Sequence, residues 1–143
     1  MKLWFNLLCR DIEAQMAFYR ALLDLPEAVR SRSPIYRALE TPDFQFGFNA
    51  WPAYALLQFP ERAPQAGSTP PVTAYATLML DGPAAVDAAA ARAPALGGRV
   101  VKPPYPTYYG QWQCVLADPE DNLFRVAAHT LPEGVARPEL DLS

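Results

Sequence analysis

Few side chains in this sequence could run a reaction, and rather more could grip a ligand. His129 is the only histidine, which is little for general acid–base work, although Asp, Glu or Tyr can also serve. No nucleophile elbow, HExxH helix, phosphate-binding loop or dinucleotide glycine fingerprint occurs. Against that scarcity stand Trp4 and Trp112, whose indoles offer stacking surfaces, and Arg125, whose guanidinium can take a carboxylate or phosphate through two parallel bonds. Asn6, Gln45 and Tyr109 add hydrogen-bonding groups. Apolar walls with a few placed polar groups are the usual build of a small-molecule site. Each candidate also has a plainer use. An indole on a strand commonly packs a core, and an arginine commonly pairs with an acidic neighbour. Tyr105, Tyr108 and Tyr109 could pack a loop or a dimer contact, and Arg30 and Arg32 suit a solvated face.

The elements that must position these residues occur twice. Residues 3–49 read strand, helix and three strands, and residues 72–129 read the same way. In the first copy an apolar strand, Leu3–Cys9, runs into Asp11, which suits an N-cap. Ile12, Met16, Tyr19, Leu22 and Leu23 follow at helical spacing, and Pro26 is expected to end the helix. Residues 28–32, 35–40 and 44–49 are the expected strands, with turns at Ser33-Pro34 and Thr41-Pro42-Asp43. Phe44, Phe46 and Phe48 alternate with Gln45, Gly47 and Asn49, the mark of a strand with unlike faces.

Residues 50–71 contain five prolines and read as a linker. Its Trp51, Tyr54, Leu56, Leu57 and Phe59 are expected to pack against an edge of the domain, with a lid as the alternative. The second copy opens at residues 72–80 and ends at Asp81, the counterpart of Asp11. Pro83 falls near N1 of a helix whose inner stripe is Val86, Ala89, Ala90, Ala93 and Leu96, and Gly97-Gly98 suits its C-cap. Residues 99–102, 112–116 and 123–129 are the remaining strands, 103–110 a long Pro- and Tyr-rich connection, and 132–143 a loose tail. The fold class expected is α+β, built as two tandem βαβββ modules.

The whole chain sets outer bounds. Its 143 residues suit a single domain, and 51% hydrophobic with 19% charged content is that of an ordinary globular protein. A net charge of −3 argues against a nucleic-acid partner. No apolar run approaches the roughly 20 residues of a membrane helix, and the opening apolar run is too short for a signal peptide. A cytoplasmic location is therefore expected. Cys9 and Cys114 lie in apolar strands and read as buried free thiols.

Two segments carry a family resemblance. Phe5-Asn6-Leu7-Leu8-Cys9-Arg10-Asp11, followed by Met16-Ala17-Phe18-Tyr19, resembles the opening of the vicinal oxygen chelate superfamily, and Asp118-Pro119-Glu120-Asp121-Asn122-Leu123 resembles its DPxGN turn. Asp121 replaces the glycine there, at a position wanting positive φ, which Asp tolerates better than most residues. That superfamily includes glyoxalase I, extradiol dioxygenases and the fosfomycin- and bleomycin-resistance proteins. The resemblance implies a curved mixed sheet around a concave cleft, with helices on the convex side. It also implies a divalent metal held in the cleft by His and Glu. The first ligand position lies seven residues before the strand-ending Asp, at Trp4 and, in the second copy, Ala74; the Glu position lies seven after Asp118, at Arg125.

None of those three can bind a cation. Strand alternation then lines the cleft with Trp4, Asn6 and Leu8, with Ala74, Ala76 and Leu78, and with Leu123, Arg125 and Ala127. Trp112, Tyr109 and Gln45 are further ligand-binding candidates, and no metal or other cofactor is expected. The reading is a metal-independent binding protein for a small aromatic or anionic molecule, resembling the bleomycin-resistance branch. Membership of that branch implies antibiotic resistance as a role and a homodimer as the working form. One alternative is a glyoxalase- or dioxygenase-like enzyme with displaced ligands, drawn from His129, Glu40 or Asp43. Another is an interaction protein with a vestigial cleft.

Overall fold

The structure is a computed structural model and describes residues 1–69 and 71–140. Pro70, in the expected linker, and residues 141–143, in the expected tail, lie outside the described residues. The chain divides into two compact units, Met1–Pro71 and Val72–Ser143. Each holds one mixed sheet with a parallel pair at one edge. A parallel pair cannot be joined by a hairpin, so in each unit a helix makes the crossover.

In the first unit the elements are β1 (Leu3–Cys9), α1 (Ile12–Leu23), β2 (Tyr36–Glu40) and β3 (Phe44–Ala50), with strand order β1-β3-β2. Asp11 caps α1 as its position suggests: Oδ1 accepts from the amides of Glu13 at 3.1 Å and Ala14 at 3.0 Å. The helix stops before Pro26 is reached. Asp24 takes a left-handed conformation with φ 53°, and its N–H closes on the Arg20 carbonyl. Short polar side chains tolerate that region better than most. Tyr19 stacks on Phe48 at 5.5 Å and meets Phe46 edge-on at 4.7 Å, so α1 covers the phenylalanine face of β3. Full burial of each such side chain contributes about 1.5–3 kcal/mol. Gln15 and Phe18 are buried too, which widens the stripe read from spacing.

The other face of this sheet needs a bare backbone at Gly47. The Tyr36 ring lies across β3 there, and a Cβ on Gly47 would run into Asn6 Oδ1 and the Tyr36 hydroxyl. Residues 28–32 do not form the expected strand. Val29–Ser31 is a 3-10 turn, closed by Ser31 N–H to the Ala28 carbonyl, and isolated bridges, Glu27↔Leu39 and Ser33↔Tyr36, stand on either side of it. Pro34 removes the next ladder donor, and Arg32 turns back to bond Glu27. Residues 50–71 are also more ordered than a linker, with α2 (Pro52–Leu56) and a 3-10 turn, Pro60–Arg62. Trp51, Tyr54 and Phe59 pack edge-to-face. Leu56 and Leu57, expected to pack, are 69% and 57% exposed.

The second unit contains β4 (Ala76–Met79), α3 (Pro83–Arg92), β5 (Arg99–Pro106), β6 (Trp112–Ala117) and β7 (Leu123–Ala128), in strand order β4-β7-β6-β5. Pro83 stands at the start of α3, but its N-cap is Gly82 rather than Asp81. Val86, Ala89, Ala90 and Ala93 are buried, Leu96 is half-buried, and Gly97 ends the following 3-10 turn with φ 93°. Strand β5 takes in residues 103–106, expected as loop. It is an edge strand, and two register shifts around Lys102 accommodate its prolines.

The 118–122 turn forms as the family motif implies. Asp118 Oδ1 accepts from the amides of Glu120 and Asn122, and Asp121 adopts φ 67°. The tail is tied back where Arg137 Nε donates to the Tyr108 carbonyl. Cys9 and Cys114 are buried free thiols, and burial pushes the Cys114 thiol up to about 11. Among the described residues no helix is long and apolar enough to cross a membrane.

Two substitutions test these supports. Asp11→Ala should lower unfolding free energy by about 1 kcal/mol, with Asp11→Asn close to wild type, read from urea denaturation. Gly47→Ala should keep the fold but displace Tyr36 and cost about 1–2 kcal/mol, because flexible side-chain ends rather than backbone must move and their hydrogen bonds are lost. A lower melting temperature together with a shifted Tyr36 in a crystal structure would confirm it; unchanged stability would count against the close approach.

Candidate functional site

Strand alternation divides the candidate residues among the sheet faces. In the first unit Trp4, Asn6 and Leu8 of β1 pair with Gln45, Gly47 and Asn49 of β3, on the face away from α1. Tyr36, Ala38 and Glu40 of β2 complete that face. Its polar groups largely satisfy one another. Lys2 bonds Glu40 at 2.6 Å, and the Gln45 amide donates to Glu40 at 3.2 Å. These two bonds hold the Glu40 carboxyl below its usual range. The Tyr36 hydroxyl bonds Gln45 Oε1 at 2.7 Å and Asn6 Oδ1 at 3.2 Å, and Asn49 donates to Asn6 at 3.3 Å. Burial, with Glu40 nearby, raises the Tyr36 pKa, so the phenol stays protonated at neutral pH. Trp4 stands beside this network, 55% exposed.

The second unit brings a different set together around Arg125. Thr77 of β4 is its cross-strand partner on β7. Arg125 donates Nε and Nη2 to Thr77 Oγ1 at 3.0 and 2.9 Å, and Nη1 to the Tyr109 hydroxyl at 3.2 Å. Its guanidinium lies 5.1 Å from the centre of the Tyr75 ring, which is 51% exposed. Tyr109 in turn donates to Gln113 Oε1 at 2.9 Å, and Gln113 Nε2 donates to the Tyr105 hydroxyl. Gln113 is buried, so its amide is locked between two phenols. Among the described residues Arg125 forms no ion pair.

Several expectations change here. Trp112 is not part of this group: its indole N–H donates to Asp87 of α3 at 2.7 Å, so it lies on the helix-covered face. Gln113, its neighbour with opposite orientation, takes the place. Tyr105 comes from β5 rather than from a loop. His129 is exposed just past the end of β7.

The second-copy lining set is also wrong by one residue. Because Gly82, not Asp81, caps α3, the counterpart of Trp4 is Tyr75 rather than Ala74. The ladder agrees, since Ala76 pairs with Phe124 and Leu78 with Val126, on the face opposite Arg125. Tyr75, Thr77 and Met79 therefore share the Arg125 side. Residue chemistry could not reveal this, but the N1 preference of Pro83 places a cap at residue 82 and was the available signal.

A divalent cation does not fit these residues. Trp4 and Tyr75 stand at the positions where the superfamily places histidine, and an arginine already anchored to Thr77 and Tyr109 stands at the glutamate position. Arg keeps its proton and repels a cation. Among the described residues no group of three or more His, Cys, Asp and Glu side chains could hold a metal ion.

Comparison with known proteins agrees with this architecture. A family model described as a glyoxalase-like domain matches residues 3–127. A crystal structure of a glyoxalase/bleomycin resistance protein/dioxygenase family enzyme from Burkholderia phytofirmans PsJN is 38% identical, with a TM-score of 0.79 over 87% of this chain and 95% of that one. A glyoxalase-related enzyme from Fulvimarina pelagi is 18% identical, with a TM-score of 0.71 over 90% of this chain and 87% of that one. Lactoylglutathione lyase from Agrobacterium tumefaciens is 21% identical, with a TM-score of 0.63 over 90% of this chain and 92% of that one; it and the Fulvimarina protein share the fold. No protein of curated function matches significantly. With both halves of the repeat matched by one family model, the chain belongs to the glyoxalase-like domain family of the vicinal oxygen chelate superfamily.

Proposed function

We propose that this chain binds a small aromatic anion without a metal, with Arg125 as the anchor. One observation carries the reading: among the described residues the guanidinium's hydrogen-bond acceptors are neutral oxygens. Thr77 and Tyr109 accept three of its N–H bonds. A guanidinium has five, so two are left for a ligand, while its charge is not neutralised by any ion pair among the described residues. Charge-assisted bonds to a carboxylate are stronger and shorter than neutral ones. Tyr75 supplies an exposed ring beside the anchor, on which a planar ligand can stack.

The hydrogen-bond chain leading away from Arg125 favours an anion further. One buried amide stands between two phenols. Whichever way that amide faces, one phenol donates to its oxygen and the other accepts from its nitrogen. The accepting phenol keeps a free O–H, so the groups that remain uncommitted are donors.

Calorimetric titration with benzoate and indole-3-carboxylate is the test. Binding should occur in the presence of EDTA. Arg125→Gln should weaken it by about 10- to 100-fold, the range of a charged hydrogen bond of 1.5–3 kcal/mol. Arg125→Lys should recover only part of the loss, because a single ammonium cannot make the two-pronged contact. Binding that disappears with EDTA and returns with manganese, nickel, zinc or iron would favour the alternative, an enzyme with displaced ligands. The name of the Burkholderia protein, a family enzyme, keeps that alternative concrete.

A further inference from the structure

Arg125 is not the only uncompensated cation on its sheet face. Strand register places Lys102 of β5 opposite Val115 of β6, and Val115 opposite Arg125 of β7. Cross-strand partners point to the same face, so Lys102, Val115, Arg125 and Thr77 form one row over four strands. Adjacent strands are spaced by about 4.8 Å, which puts the Lys102 and Arg125 backbones about 10 Å apart. The ammonium of Lys102 sits 3.6 Å from the centre of the Tyr105 ring. That ring's hydroxyl belongs to the Tyr105–Gln113–Tyr109 chain that ends on Arg125. Among the described residues Lys102 has no carboxylate partner either.

Two like charges on one face repel each other, and the row contains no carboxylate to offset them. A cation resting on an aromatic face is attracted to the ring but stays charged and available. The middle of the row is apolar, with Val115 half-buried between the two cations. At the Lys102 end the side chain is exposed, and its ammonium offers only donors.

We propose that the ligand is a dianion: an elongated molecule with an anionic group at each end of an apolar or aromatic middle, one end on Arg125 and the other on Lys102. This rests on the reading of Arg125 given above and extends it. Arg125 supplies the oriented contact. Lys102, compact and on a flexible stem, supplies a point charge that tolerates variation in the length and chemistry of the second group.

The test compares molecules with the same body and different charge. Biphenyl-4-carboxylate and biphenyl-4,4′-dicarboxylate form one pair, benzoate and terephthalate a shorter one, titrated calorimetrically at low ionic strength. In at least one pair the dianion should bind about two- to fivefold tighter, the scale of a partly exposed ion pair. That advantage should shrink as salt rises past a Debye length of about 10 Å at 0.1 M. Lys102→Gln should bring the dianion down to the monoanion's affinity, with an unchanged melting temperature as the control for folding. Monoanion binding that depends on Arg125, with no gain for either dianion, would overturn the dianion assignment and leave the anchor standing. A dianion advantage that survives Lys102→Gln would overturn the role of Lys102. No binding of any of the four would overturn the anchor and this inference together.

Discussion

A guanidinium on a half-buried strand must be held by something, and what holds it decides what it can still do. Had Arg125 met a carboxylate, its charge would be spent inside the protein and the strand face would be electrically neutral. Here the partners are a threonine hydroxyl across the parallel ladder and a tyrosine hydroxyl from the turn before β6. Neutral acceptors fix the orientation of the plane and leave the charge in place. The supports of those acceptors follow from the same need. Tyr109 sits in the 107–111 turn, which Thr107 closes through bonds to the amide and carbonyl of Gln111 and which Arg137 ties to the tail. Gln113 is buried with both ends of its amide engaged, so it transmits position from Tyr105 to Tyr109.

The first unit shows what the same scaffold does without that arginine. Asn6 and Thr77 both lie five residues before the cap of the helix that follows, and each pairs across a parallel ladder, Asn6 with Gly47 and Thr77 with Arg125. Gly47 and Arg125 are thus counterparts. At Gly47 the missing side chain lets Tyr36 fold over the strand and close a network with Asn6 and Gln45. At Arg125 a long side chain fills the same place, and the residue opposite Ala127, Gln113, takes the part played by Tyr36 opposite Asn49. One face satisfies most of its own hydrogen bonds and carries a paired Lys2–Glu40 bridge. The other retains donors and an unpaired charge. The two faces therefore differ at several counterpart positions at once, Asn6 against Thr77, Gly47 against Arg125 and Tyr36 against Gln113.

Much of this was legible in the residues, and the failures share a cause. The β1–α1 opening, the Asp11 cap, the β3 phenylalanine face and the 118–122 turn each have a local determinant: a side chain that caps, an alternation, a turn residue that tolerates positive φ. That Arg125 stands where the superfamily places a glutamate followed from the resemblance. What could not be read locally was pairing. A single offset, Asp81 taken as the counterpart of Asp11 where Gly82 is, moved Ala74, Ala76 and Leu78 onto the Arg125 face and Tyr75 and Thr77 off it, because strand periodicity of two turns a one-residue error into a change of face. Trp112 and Gln113 illustrate the same parity, and the ladder register with the Trp112 bond to Asp87 decides between them. Residues 103–106 contain three prolines, Pro103, Pro104 and Pro106, yet belong to β5 because an edge strand does not need every N–H.

The chemistry left on the second sheet face argues for what it would reject as well as for what it would hold. A guanidinium carries donors and no acceptor, so Arg125 can only donate to a guest. A cationic guest would meet that charge with no intervening carboxylate among the described residues. A neutral guest would have to leave at least part of the donor set unpaired while covering it from water, and a covered, unpaired donor costs about 1–3 kcal/mol. An anion avoids both penalties at once, and an aromatic one also gains the Tyr75 surface. On the proposed reading, selection by charge would come before selection by shape at this face, and the shape of the guest would then be set by how far its second anionic group must reach along the row from Arg125 over Val115.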